Sequence, residues 1–225
     1  MKKKIITSSL GLFLLISNGV NAAIIMNSVN EFSNVQGQDG WSYGYYNGNH
    51  VNAFTPDDFE EMTQFNASTW WVQEGAGGFF TSLNATGGHP NGITTSGGRQ
   101  SINHWAVRRW TSDSMGILNL SGSLSKESSG GNGIVGHIFV DGAEVFSQYT
   151  SSTLDFNYSF DVNVGIGSVI DIAFDPLNSE DFSDGSFFSA TGDLSPTTVP
   201  TPAIVWLLST GLMGFIGMRK KSSNL

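Results

Sequence analysis

The amino-acid sequence predicts an all-β protein, an antiparallel β-sandwich of jelly-roll type, with one further segment at each end. Three observations predict it. Between Ala23 and Ser195 no apolar period of 3.6 residues is sustained for three turns. Gly, Ser, Asn and Thr recur every few residues, as closely spaced turns between short strands require. Where apolar residues do cluster they alternate with polar ones, the period of a strand with one buried face, and no helices separate the clusters to make parallel crossovers.

Taken in order, Lys2, Lys3 and Lys4 precede an apolar stretch from Ile5 to Ile16, and Val20-Asn21-Ala22 follows with compact residues where a signal peptidase reads. Residues 1–22 are expected to be a cleaved secretory signal, because about 12 apolar residues are too few to span a bilayer as a helix. Residues 23–192 form the exported body. Its single helical expectation is "TPDDFEEMTQF", where Thr55 suits an N-cap, Pro56 the first helical position, and acids crowd the first turn. Leu118, Leu120 and Leu124 alternate with Asn119, Ser121 and Ser123 as a half-buried strand would. Ile134, Ile138 and Val140 lead through Asp141-Gly142 to Val145, Phe146 and Tyr149; Asp-Gly between two such runs predicts a hairpin whose type I′ turn needs positive φ at both residues. In "SVIDIAFDP" Ile170, Ile172 and Phe174 share one face, and Pro176 ends the strand.

Residues 193–202, "DLSPTTVPTP", read as a Pro-stiffened spacer. The 16 uncharged residues from Ala203 to Met218 make about 24 Å of helix at 1.5 Å per residue. That is a short transmembrane helix against a hydrocarbon core of about 30 Å. Arg219, Lys220 and Lys221 open a basic tail, residues 219–225, that stops transfer and stays cytoplasmic. Val199-Pro200-Thr201-Pro202, the apolar span and the basic cluster, in that order at the extreme C-terminus, resemble the sorting region of PEP-CTERM proteins in the Val-Pro-x-Pro variant, with Thr201 in place of the acid. The resemblance covers about 25 residues and implies a motif at Val199, Pro200, Thr201 and Pro202. It also implies transient anchoring in the inner membrane, processing by an exosortase-like enzyme, and delivery to the cell surface or its exopolysaccharide. The stretches "VQGQDGWSYGYYNG", "ATGGHPNG", "GGRQ", "HWAVRRW" and "IFVDGAEVF" are similar to those recurring in exported bacterial β-sandwich regions that accompany such tails.

Charge narrows the partners. All nineteen acids lie between Glu31 and Asp193, and only Arg99, Arg108, Arg109 and Lys126 oppose them there, so the body carries four cations against nineteen acids, a net −15. Such a surface repels nucleic acid, whose recognition rests on cationic contacts with phosphate. No cysteine is present, which excludes thiol catalysis and Cys-ligated metals.

Two function classes fit the body: a structural or adhesive surface protein, and a carbohydrate-binding module. For the second, Trp41, Tyr43, His89, Arg99, Arg108 and Trp110 are the candidate glycan contacts, since aromatic faces stack on sugar C–H surface while Arg and His hydrogen-bond hydroxyls. The same rings suit a sandwich core, and alternation permits both: Trp105, Val107 and Arg109 take one face of a strand, Ala106, Arg108 and Trp110 the other. In "DPLNSEDFSDG", Asp175, Asn178, Glu180, Asp181 and Asp184 are hard oxygen ligands of the kind calcium takes, or else a solvated loop. No nucleophile elbow, His-Glu-x-x-His or P-loop occurs, and Asp57-Asp58 with Glu60-Glu61 leave a glycoside hydrolase a distant third, so the expectation is a non-enzyme.

Overall fold

The computed structural model describes residues 23–47, 56–93 and 97–195. Among them the chain forms β1 (Ala23–Asn27), β2 (Trp41–Asn47), a 3₁₀ turn (Pro56–Asp58), β3 (Phe59–Glu61), β4 (Gln64–Asn66), β5 (Thr69–Trp71), β6 (Ser82–Leu83) and β7 (Gly87–His89). It continues through β8 (His104–Thr111), β9 (Gly116–Lys126), β10 (Ile134–Val140), β11 (Ala143–Thr150), β12 (Phe156–Val164), β13 (Val169–Asp175) and β14 (Ser186–Ser195). The expected signal, Val-Pro-x-Pro motif, apolar span and basic tail lie outside the described residues. Among those described, no helix is long and apolar enough to cross a membrane.

The strands make a β-sandwich of two antiparallel sheets. One has the order β12-β9-β14-β7-β6-β5-β4, with β1 also on β14; the other has the order β11-β10-β13-β8-β2-β3. Strand β14 shares one of its edges between two partners: Ser186 and Phe187 pair with β7, and the run from Thr191 to Leu194 pairs with β1. The core lies between the sheets, where Leu118, Leu120 and Leu124 of β9 meet Ile170, Ile172 and Phe174 of β13 and Ile134 and Ile138 of β10, all fully buried. Each such side chain contributes roughly 1.5–3 kcal/mol on burial. Gly122 interrupts the leucine row because a Cβ there would stand 1.9 Å from the Ser189 carbonyl and 2.7 Å from the Tyr158 hydroxyl. That hydroxyl donates to the same carbonyl at 2.7 Å.

The hairpin forms as expected, with Asp141 at φ 48° and Gly142 at φ 84° joining β10 to β11. Asp141 also accepts from the Val169 N–H at 2.8 Å, tying the turn to β13. Pro176 follows the last residue of β13.

Two expectations are corrected. "TPDDFEEMTQF" is not a helix: after the 3₁₀ turn at Pro56–Asp58, Phe59–Glu61 pairs with β2 and Gln64–Asn66 with β5. The acids at its start favour a helix only locally, and the open edge of β2 offers a ladder that outweighs that preference. The body also runs past residue 192, since Asp193 and Leu194 pair with Asn119 and Leu118 and Leu194 is 8% exposed.

The outward face of the six-stranded sheet is itself largely buried. Tyr46, Trp105, Val107, Phe139 and Ala173 form a second apolar cluster there, with Phe59 packed against it.

Candidate functional site

Four of the six expected glycan contacts are core residues. Trp41, Tyr43 and Arg108 are 0% exposed and Trp110 is 2% exposed, so none presents a ring face to a polymer. Their alternation along β2 and β8 is real, but the face it defines looks inward. Trp41 donates its indole N–H to Glu31 Oε2 at 2.8 Å, and the Tyr43 hydroxyl accepts from the Ser33 N–H at 3.0 Å. Arg108 crosses from β8 to the opposite sheet, where its two terminal nitrogens donate to the carbonyls of Ser28, Asn84, Gly87 and Phe188. Burial lowers its pKa to about 10.

The other two, His89 and Arg99, meet at the surface beside two aromatic residues that the sequence reading did not select. Register places Trp71, Ser82 and His89 in one row across β5, β6 and β7. The Arg99 guanidinium lies over Phe80 at 4.7 Å and toward Trp71 at 5.9 Å, held by a 2.7 Å bond from Nη1 to the Phe79 carbonyl. His89 also stands beside Phe80, with ring centroids 5.2 Å apart. All four side chains are partly exposed. Burial lowers the His89 pKa, against the opposing bond that Nδ1–H donates to the Pro90 carbonyl, so the neutral ring keeps Nε2 as an acceptor. The signal available in the sequence was the doublet Trp70-Trp71. In a strand, one ring of such a pair must face away from the core, and here Trp70 is buried with its N–H on the Ser33 carbonyl while Trp71 faces out.

The five expected calcium ligands do not converge. Among the described residues no group of three or more His, Asp or Glu is placed to hold a metal ion. Asp175 accepts from the Leu177 N–H at 2.7 Å and caps its own turn. Asp181 and Asp184 are buried, the first accepting from the Gly92 N–H. Asn178, at φ 50°, and Glu180 lie in the turn between Asp175 and Asp181. The cation at this loop is a side chain: Lys126 Nζ, fully buried, sits 3.0 Å from Asp184 Oδ1 and donates also to the Gly130 carbonyl. Burial raises the Asp184 pKa to about 6 against the pull of Lys126.

A second charged group caps the outer cluster of the six-stranded sheet. Arg109 pairs with Asp171 through two 2.7 Å bonds, lies 4.0 Å over Phe59, and shares Asp171 with the Tyr46 hydroxyl. Nearby, the His137 ring stacks on Trp105 at 4.6 Å. Its Nδ1 is 2.6 Å from Glu144 Oε1, and its Nε2 is 3.5 Å from Asp175 Oδ2, an ion-pair rather than a hydrogen-bond distance. Burial disfavours the charged ring, but Asp175 and Glu144 outweigh it and the pKa is raised. A raised folded pKa stabilises in full below the unfolded value of about 6.5 and less as pH climbs through the folded one. We expect the parent to be more stable than His137→Gln at pH 5.5 by at most about 1 kcal/mol, since Glu144 is half-exposed and screened. The gap should close by pH 9 in thermal melts at both pH values; a constant gap would remove the ion pairs as its source.

No protein-family model and no curated protein matches this sequence. Among solved structures the chain is similar to a family 35 carbohydrate-binding module from Clostridium thermocellum (11% identity, 55% of this chain and 87% of that one, TM-score 0.30). Similar too are the CBM35 from Paenibacillus barcinonensis (14%, 67% and 98%, TM-score 0.28) and a family 35 module from an environmental isolate (11%, 42% and 72%, TM-score 0.29). A likeness at that level assigns the chain neither a family nor a ligand.

Proposed function

We propose that this is an exported protein whose body binds a glycan at the surface formed by Trp71, Phe80, Arg99 and His89. The observation that carries the reading is that Trp71 and His89 stand in one sheet row with Phe80 and Arg99 packed beside them, all four partly exposed. Stacking on Trp71 and Phe80 removes sugar C–H surface from water, while Arg99 and the neutral His89 ring supply donors and an acceptor for hydroxyls. A glycan array with the purified protein should give saturable binding to at least one neutral oligosaccharide. Trp71→Ala should weaken it at least tenfold, about 1.4 kcal/mol, with an unchanged circular dichroism spectrum. A silent array, or a Trp71→Ala variant that binds like the parent, would sink the reading.

The setting we propose is the cell surface or its exopolysaccharide, reached through the signal at residues 1–22 and the sorting region from Val199. The support is the order of motif, apolar span and cations at the C-terminus. An exosortase-like enzyme then releases the protein from the inner membrane. Mass spectrometry of the mature protein from its own host should find a shortened C-terminus lacking Arg219 to Leu225, and an intact one would mean a plain anchor. Replacing Pro200 and Pro202 with Ala leaves the apolar span untouched, so that variant should remain full-length in the membrane fraction.

A further inference from the structure

A cavity of about 300 Å³ opens at the other end of β8, lined by Ile25, Glu31, Asp39, Gly40, Trp110 and Asp113, with Thr111 beside them. It shares no residue with the Trp71 surface. Three of its walls are carboxylates and none is a cation.

Each carboxylate is anchored through one oxygen, leaving the other for a ligand. Glu31 Oε2 accepts from the Trp41 indole and the Asn27 N–H, both at 2.8 Å. Asp113 Oδ1 accepts from the Ser114 hydroxyl at 2.7 Å, and Asp39 Oδ2 from Gln38 at 3.4 Å. The remaining wall is Trp110, 2% exposed. Trp41 and Trp70 place their indole N–H groups on protein acceptors, but that of Trp110 has none among the described residues. It points beside Gly40: a Cβ at Gly40 would stand 3.1 Å from Trp110 Nε1 and 2.7 Å from the Thr111 carbonyl. Glycine at that position, with φ 81°, keeps the approach to the N–H open.

The ligand these groups recognise must bring both signs of hydrogen bonding. Uncompensated carboxylates favour a cation with several donors and repel uronic or phosphorylated ligands. The Trp110 indole N–H, which opens to the cavity, donates to an oxygen acceptor, which a bare metal ion lacks. Ile25 and the indole edge offer apolar contact to C–H surface, and the volume lies at the lower end for small-molecule sites. We propose that this cavity binds one amino-sugar residue through its protonated free amine, with a ring or hydroxyl oxygen accepting from Trp110.

The test uses the full-length protein and titrates glucosamine, glucose, N-acetylglucosamine and calcium chloride separately, by calorimetry and by the indole N–H resonances in ¹H–¹⁵N spectra. Glucosamine should bind saturably and shift one indole resonance, at least tenfold more tightly than glucose or N-acetylglucosamine. Short de-N-acetylated oligomers binding more tightly than the monomer would identify a polymer as the source of the residue, and equal affinity the free sugar. Asp39→Asn and Asp113→Asn, both exposed and outside the core, should each weaken glucosamine at least fivefold and leave the melting temperature unchanged. Equal affinity for the amine and the acetamide, silence with glucosamine, or the same indole shift from calcium would overturn the proposal. Trp71→Ala leaves this binding intact, so loss of the surface glycan and loss of the amine are separate results.

Discussion

Replacing Arg108 with Met will destabilise the sandwich by about 3–5 kcal/mol, the range for removing one partner of a buried charged network. Methionine keeps most of the length and all of the apolar stem, so little of the loss comes from packing. What disappears is a pair of terminal nitrogens that donate to Ser28, Asn84, Gly87 and Phe188, four carbonyls from three separate parts of the eight-stranded sheet and its loops. Each buried acceptor left without a donor costs about 1–3 kcal/mol unless water reaches it. Arg108→Lys should fall between the two, because a single ammonium keeps the charge but cannot span four acceptors. Urea titrations followed by tryptophan fluorescence measure all three proteins; a loss under about 1 kcal/mol in Arg108→Met would show that the carbonyls find other donors.

Lys126→Met is the second large effect, and its signature is a dependence on pH. The substitution leaves Asp184 buried with no cation, costing about 3–5 kcal/mol at pH 7. Asp184 already has a raised pKa of about 6 with the lysine in place, and without it the carboxyl rises further. A carboxyl whose folded pKa exceeds its unfolded value of about 3.9 favours the folded state below that unfolded value, and the advantage is lost as pH rises through the folded pKa. The deficit of Lys126→Met should therefore shrink steadily from pH 7 to pH 4. Adding Asp184→Leu to it should recover most of the stability at pH 7, since a well-packed apolar pair often equals a buried ion pair. A deficit that stays constant with pH would place the loss in packing instead.

Much of the fold could be read from single strands. The Asp141-Gly142 hairpin, the inward rows of β9 and β13, and the stop at Pro176 each follow from a local rule, turn chemistry or a period of two, that needs no partner to be known. The site was less legible for a specific reason. Alternation tells which residues share a face, but not whether that face meets solvent, and the six-stranded sheet buries both of its faces. Trp41 and Trp110 on one side and Trp105 on the other are all buried, so aromatic clustering marked core twice over. Arg108 looked like a surface head because an arginine without a carboxylate is seldom buried, and the four carbonyls that satisfy it come from residues up to 80 positions away in sequence. Trp71 ends a three-residue strand and Phe80 lies in the irregular stretch before β6, where the alternating pattern is too brief to assign a face.

The division of β14 between two partners has a mechanical consequence. The tether proposed beyond Ser195 would pull on one end of this strand, while the proposed glycan surface is joined to its other end through the pairing of Ser186 with Gly88, next to His89. Tension between ligand and tether would run along the whole strand, about 30 Å at 3.3 Å per residue. Its ten rungs to β9 and its pairing with β1 lie across that line, so they would be sheared together and not peeled one at a time. A body built this way resists being pulled from a surface most strongly along the one direction in which it would be held.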